Sequence, residues 1–381
     1  MSPGARNEFR ADLGLVHDAV RAGVVPGRAQ AADKHWERWA AFCHSIDLDP
    51  WLYEVYDPIP ILQIFGARYR DGRLATRKAP VRAGTVDDAL RAIGQTFASV
   101  GAKDIRKDAL GCIDFRLQRQ LRSYRRADPP PDRVKPLPIQ VLFHALAVAF
   151  GATGTAATQC IADMACIAFF FLLRPGEYTG TTTDNCPFRL HDVQLFIGAR
   201  RLALATAPVA DLQAATHASL TFTDQKNGVR GEVVNYSRSG SQLTCPVLAI
   251  IRRLVHLRAH NAPLHTPLAS YYSDANNRCY AVSPTNITDT LRASVLALGP
   301  HLGFLPGDIS AHSLRAGGAT ALLCADVDEQ KIRMLGRWQS DAMMRYLHLQ
   351  AQPVMRHFTR HMLDGGQYVV QPGQYVPMAA A

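Results

Sequence analysis

Five prolines fall within the eleven residues 128–138, DPPPDRVKPLP. Proline fixes φ and has no amide proton to donate, so this stretch cannot be helix and favours an extended connection. It divides a chain of 381 residues that is already too long for one ordinary core. The expected organisation is a domain over 1–127, a linker over 128–138, a second domain over 139–365 and an extended tail over 366–381, where GQYV occurs twice.

Up to residue 127 the apolar residues recur at helical spacing, as with Trp36, Trp39, Ala40 and Cys43, or Val86, Leu90, Ile93 and Phe97. Thr85, with Asp88 three residues on, reads as the N-cap of the second of these helices. Further along, Leu110, Ile113, Leu117, Leu121 and Tyr124 share one helical face, while Arg116, Arg119, Arg122 and Arg126 share another, continued by Arg133 and Lys135 in the linker. Such a stripe is either a solvated face or a surface that tracks phosphates. After the linker, 139–150 and 156–173 read as apolar helices, and 193–197, 217–223 and 232–237 as strands. The last two are joined by DQKNG, a hairpin turn with Lys226 at its tip. Helical periodicity resumes over 246–259, 285–298 and 312–349. The fold class expected is mainly α: a helical domain followed by an α+β domain with a small antiparallel sheet.

A formal charge of +10 points to a polyanionic partner, nucleic acid above all. Arginine outnumbers lysine by 35 to 7, so each lysine stands out. The eight cysteines include no C-x-x-C and no zinc-ligand spacing with histidine, and read as reduced structural thiols. No Walker-type loop or carboxylate cluster calls for a nucleotide or metal, so no cofactor is expected. The most apolar run, 164–173, is half of a membrane span, and the first residues have no apolar signal region. The expectation is an intracellular protein with no membrane partner, nuclear if its host is eukaryotic.

His312-Ser-Leu-Arg315 puts an imidazole and a guanidinium at i and i+3, one helical face, near a start marked by Pro306, Asp308 and Ser310. H-x-x-R also occurs at 35 and 357, so its weight comes from its company. That company is LRPGEY at 173–178, Lys226 in its hairpin, LGRW at 335–338, and SDAMMRYLH at 340–348.

The order Arg, Lys, His-x-x-Arg, Trp, Tyr resembles the catalytic series of the tyrosine recombinases, or phage integrase family. The wording of the motifs is most similar to Crypton-type recombinases of eukaryotic mobile elements. The resemblance covers about 139–366 and implies a tyrosine-recombinase catalytic domain preceded by a helical, SAM-like core-binding domain. It implies that Arg174 and Arg315 brace a phosphate, with Glu177 orienting Arg174, and that Lys226 protonates the leaving 5′-oxygen. His312 would hold or exchange a proton, the Trp338 indole would donate to a nonbridging oxygen, and Tyr346 would be the nucleophile, with Tyr368 and Tyr375 as fallbacks. It further implies duplex DNA as substrate and a homo-oligomer, a tetramer in synapsis. Trp338 stands eight residues before Tyr346, one fewer than in many members, and Lys226 lies 52 residues after Arg174, which implies an insertion over 179–215. A type IB-like topoisomerase uses nearly the same residues, and a domesticated, non-catalytic DNA-binding protein could retain them.

Overall fold

The structure is a computed structural model that describes residues 2–24, 26–130, 135–180, 187–223, 231–299 and 302–338, with Met362. It divides into two compact units, Met1–Pro131 and Asp132–Ala381, and the division falls inside the proline-rich stretch.

The first unit contains helices α1 (Pro3–Ala22), α2 (Pro26–His44), α3 (Ile59–Arg70), α4 (Ala83–Ser99) and α5 (Phe115–Ala127). Its core joins Trp39 and Phe42 of α2, Leu62 and Phe65 of α3, Leu90 and Ile93 of α4, and Leu117 and Leu121 of α5. Two expectations are corrected here. Thr85 is not the cap of α4: the cap lies three residues earlier, at Arg82, and the Asp128 carboxylate accepts the Ala83 amide at 2.9 Å. A carboxylate from beyond α5 thus serves the orphan donor, which a local motif cannot reveal. The apolar stripe begins only at Leu117, because Asp114 caps α5 by accepting the Arg116 amide at 2.8 Å, leaving Leu110 before the helix and exposed.

The second unit is built around α7 (Ala156–Phe170), which follows α6 (Ile139–Ala149) and is buried along nearly its whole length. Thr155 and Thr158 cap its start reciprocally. After the single turn α8 (Pro175–Tyr178) come strands β1 (Val193–Ile197) and β2 (Arg200–Arg201), short helix α9 (Val209–Gln213), then β3 (His217–Phe222) and β4 (Glu232–Ser237). They form one antiparallel sheet in the order β2-β1-β3-β4. Helix α10 (Pro246–Ala259), the paired strands β5 (Ser270–Tyr272) and β6 (Cys279–Ala281), α11 (Pro284–Leu298), α12 (Ser313–Cys324) and α13 (Glu329–Gly336) complete it. The stretch from 312 is therefore not one helix as far as it is described: the chain leaves α12 at Ala325 and Asp328 caps α13. Among the described residues no helix is long and apolar enough to cross a membrane.

The glycine pair in α12 decides where that helix sits. A Cβ on Gly317 would collide with the Leu137 carbonyl, and one on Gly318 with the Phe169 carbonyl. Only glycines let α12 lie directly on the end of α7, and this contact brings Arg315 to that end.

Candidate active site

The site forms on the turn that closes α7. Leu172 takes the left-handed conformation, φ 52°, and the Leu173 amide donates back to Ala168 O at 3.0 Å. A branched side chain seldom sits there without glycine's freedom. The last carbonyls of a helix lack intrahelical donors, and here arginines supply them. Arg315 Nη1 donates to Leu172 O at 2.8 Å, and its Nη2 donates to Gly336 O. Arg337 donates to Phe171 O at 3.3 Å, Leu172 O at 3.1 Å and Leu335 O at 3.0 Å.

Arg174 stands just before α8. Glu177 reaches back so that Oε2 accepts the Arg174 amide at 2.7 Å and Oε1 accepts its Nη1 at 2.9 Å. The same carboxylate receives Arg337 Nη2 at 3.4 Å. The Tyr178 hydroxyl donates to Ala311 O at 2.9 Å, which ties α8 to the residue before His312. The Arg315 guanidinium lies over the Trp338 ring, 4.3 Å from its centre, and that ring packs with Leu172, Ala319 and Ile332. The plane of Arg315 is thereby fixed by two carbonyls and a ring.

Burial separates the arginines. Arg315 and Arg337 are 2% and 6% exposed, whereas the Arg174 side chain is 25% exposed and is the most open of the three. Burial pulls the Arg337 guanidinium below its ordinary range, with Glu177 opposing. Three guanidiniums against Glu177 and the field of Glu232 leave the cluster positive, in a geometry suited to an anion with several oxygens.

His312 has helical backbone angles, φ −68° and ψ −23°, three residues before Arg315. His312 is the exposed N-cap of α12, while Arg315 is buried in its first turn. Lys226 and Tyr346 lie outside the described residues, as do Tyr368, Tyr375 and Arg133. Phe222, four residues before Lys226, ends β3, pairs with Glu232 of β4 and puts its ring 3.8 Å from the Arg337 guanidinium. Sequence reasoning missed Arg337; its signal was its place inside the LGRW wording. Among the described residues no group of three or more His, Cys, Asp or Glu is placed to hold a metal ion.

The first unit carries the arginine face. Arg116 is bound to Asp57 at 2.5 Å and Asp114 at 3.0 Å, and this pairing holds the Asp57 carboxyl below the usual range. Arg119, Arg122 and Arg126 instead line an open groove of about 550 Å³ with Ser123 and Ala127. Lys135 belongs to the second unit, where it pairs with Asp308 at 2.8 Å.

No family model matches the chain, and no curated protein does. Among solved structures it is similar to the Tn1549 transposon integrase in complex with transposon right end DNA, with a TM-score of 0.44, 14% identity, and 79% of this chain and 84% of that chain covered. The same integrase with circular intermediate DNA gives a TM-score of 0.44 and 14% identity over 80% of this chain and 86% of that chain. XerA recombinase gives a TM-score of 0.37 and 13% identity over 91% of this chain and 96% of that chain.

Proposed function

We propose that this chain is a site-specific DNA recombinase that cuts and rejoins duplex DNA through a 3′-phosphotyrosine intermediate, working as a homo-oligomer for a mobile element of the Crypton type. The observation that carries the reading is convergence. LRPGEY, HSLR and LGRW, separated by more than a hundred residues at the extremes, close on the single turn after α7, where Leu172 O receives both Arg315 and Arg337.

In this reading Arg174 and Arg315 neutralise the nonbridging oxygens of the scissile phosphate, where charge develops during attack. The Trp338 indole N–H donates to the same phosphate. The Tyr346 oxygen forms the new bond to phosphorus and gives up its proton, with His312 exchanging protons nearby. The bond from phosphorus to the 5′-oxygen breaks, and Lys226 protonates that leaving oxygen, a task arginine cannot perform at neutral pH. Attack by a 5′-hydroxyl on the phosphotyrosine reverses these steps, so the bond energy is conserved. Arg119, Arg122 and Arg126 hold the duplex backbone from the first unit.

The test is covalent capture on a library of nicked duplexes with randomised cores. The wild-type chain should yield DNA adducts that survive denaturant, carried by the peptide containing residue 346, and Tyr346→Phe should bind DNA but yield none. An adduct on Tyr368 or Tyr375 overturns the nucleophile. Relaxation of plasmids by a monomer, without exchange between duplexes, replaces the recombinase reading by a topoisomerase. DNA binding with no adduct replaces it by a binding-only protein.

A further inference from the structure

Arg337 sits where a side chain is costly twice over. Its φ of 56° places it in the left-handed C-cap of α13, a position that glycine or asparagine fills most cheaply. Its guanidinium is buried, and burying a cation is expensive unless it is paired. If the position served only to end a helix and fill space beside Phe222, a small or apolar residue would do so at lower cost. The chain instead keeps the charge and sets it against Glu177, which Arg174 also holds, with Glu232 of β4 adding its field without a direct hydrogen bond.

That sharing has an electrostatic consequence. A carboxylate held by Arg174 alone would cancel the charge that the proposed reaction needs at the phosphate. With Arg337 on Oε2 and Arg174 Nη1 on Oε1, the negative charge of Glu177 is divided between two cations, and a positive excess remains at the more exposed one. Arg337 also grips the Phe171 and Leu172 carbonyls, so Glu177 is fixed relative to the turn that holds Arg315.

We infer that Arg337 is a positioning residue of this site: it divides the charge of Glu177 so that Arg174 keeps its positive charge for the phosphate. This rests on the recombinase reading. It predicts that Arg337→Gln slows adduct formation on a normal phosphate by about tenfold or more, with duplex affinity unchanged. The deficit should shrink on a substrate whose scissile phosphate is replaced by an uncharged methylphosphonate, where less charge must be neutralised. Adding Glu177→Gln to the Arg337→Gln chain should recover rate, since the carboxylate left undivided is then gone, and Arg337→Lys, which keeps the charge, should fall between wild type and Arg337→Gln. A rate for Arg337→Gln equal to wild type overturns the inference. So does an equal deficit on both substrates with no relief from Glu177→Gln, which marks a role in stability alone. Absence of any adduct from the wild-type chain overturns the recombinase reading itself and is distinguished by that control.

Discussion

Arg315 and Arg337 donate to one oxygen, the Leu172 carbonyl, at 2.8 Å and 3.1 Å. Two cations accept this proximity because each has a further anchor: Arg315 lies over Trp338, and Arg337 reaches Glu177. The turn after α7 thus acts as a common support for residues from three parts of the chain, and disturbing any one support should be felt at the others.

Trp338 tests this first. Its ring is 7% exposed and forms one wall of Arg315 while closing a small apolar cluster. Trp338→Ala should cost about 3 kcal/mol through the cavity it leaves, read from urea unfolding of the carboxy-terminal unit, and should abolish adduct formation. Trp338→Phe refills part of that space and should recover most of the stability while remaining slow in chemistry, having no indole N–H. A Phe variant as fast as wild type would remove the indole from the mechanism.

Strands β1, β3 and β4 and several helices were legible because their signal is local, whereas β2, β5 and β6, of two or three residues each, were not. β1 and β4 match the expected 193–197 and 232–237, and α10 matches 246–259. What could not be read is tertiary: that Asp128 caps α4, that Asp57 occupies Arg116, and that Lys135 is taken by Asp308. Each concerns a polar group whose partner lies many residues away, where spacing carries no information. Arg337 was hidden for another reason. A residue between a glycine and a tryptophan at a helix end reads as linker, and its burial follows only from how α13 returns to α7.

Gly318 supplies a second prediction. Because a Cβ there would strike the Phe169 carbonyl, Gly318→Ala must push α12 off α7. The gain in helix propensity should be outweighed by strain of about 2 kcal/mol, lowering the melting temperature, and Arg315 should lose its hold on Leu172 O. Gly307 has nothing within 4 Å of its would-be Cβ, so Gly307→Ala serves as the control and should leave stability near wild type.

The arginine face gives a third. Replacing Arg119, Arg122 and Arg126 together by Gln should weaken duplex binding at every sequence and reduce the slope of log affinity against log salt by about 2 to 3. Arg116→Gln should change that slope much less, since its charge is already answered by Asp57 and Asp114. A salt titration in which Arg116→Gln matches the triple variant would show that the groove is not the phosphate-tracking surface.

A buried carboxyl and a half-buried imidazole set opposing pH dependences in the second unit. Asp163 in α7 is wholly enclosed and binds Arg252 through Oδ1 at 2.6 and 2.8 Å, and burial pushes its carboxyl from 3.8 up to about 6. Between those values the folded chain holds a proton that the unfolded chain has released, so this contribution is fully present below about pH 4 and is lost as pH rises to about 6. His256 in α10 behaves in the opposite sense. Burial, together with Arg253 and His260, lowers it from 6.5 to about 4, and its Nε2 accepts the Tyr272 amide at 3.0 Å. Its contribution is present above pH 6.5 and lost as pH falls through about 4. Asp163→Asn removes the falling term, so the stability of that variant should climb more steeply with pH over about 4 to 6 than wild type does. His256→Gln keeps an acceptor for Tyr272 but removes the rising term, so its stability should decline over the same window relative to wild type. Urea midpoints across that range, compared variant by variant, provide the check. Parallel curves for all three chains would show that neither group changes its protonation on folding.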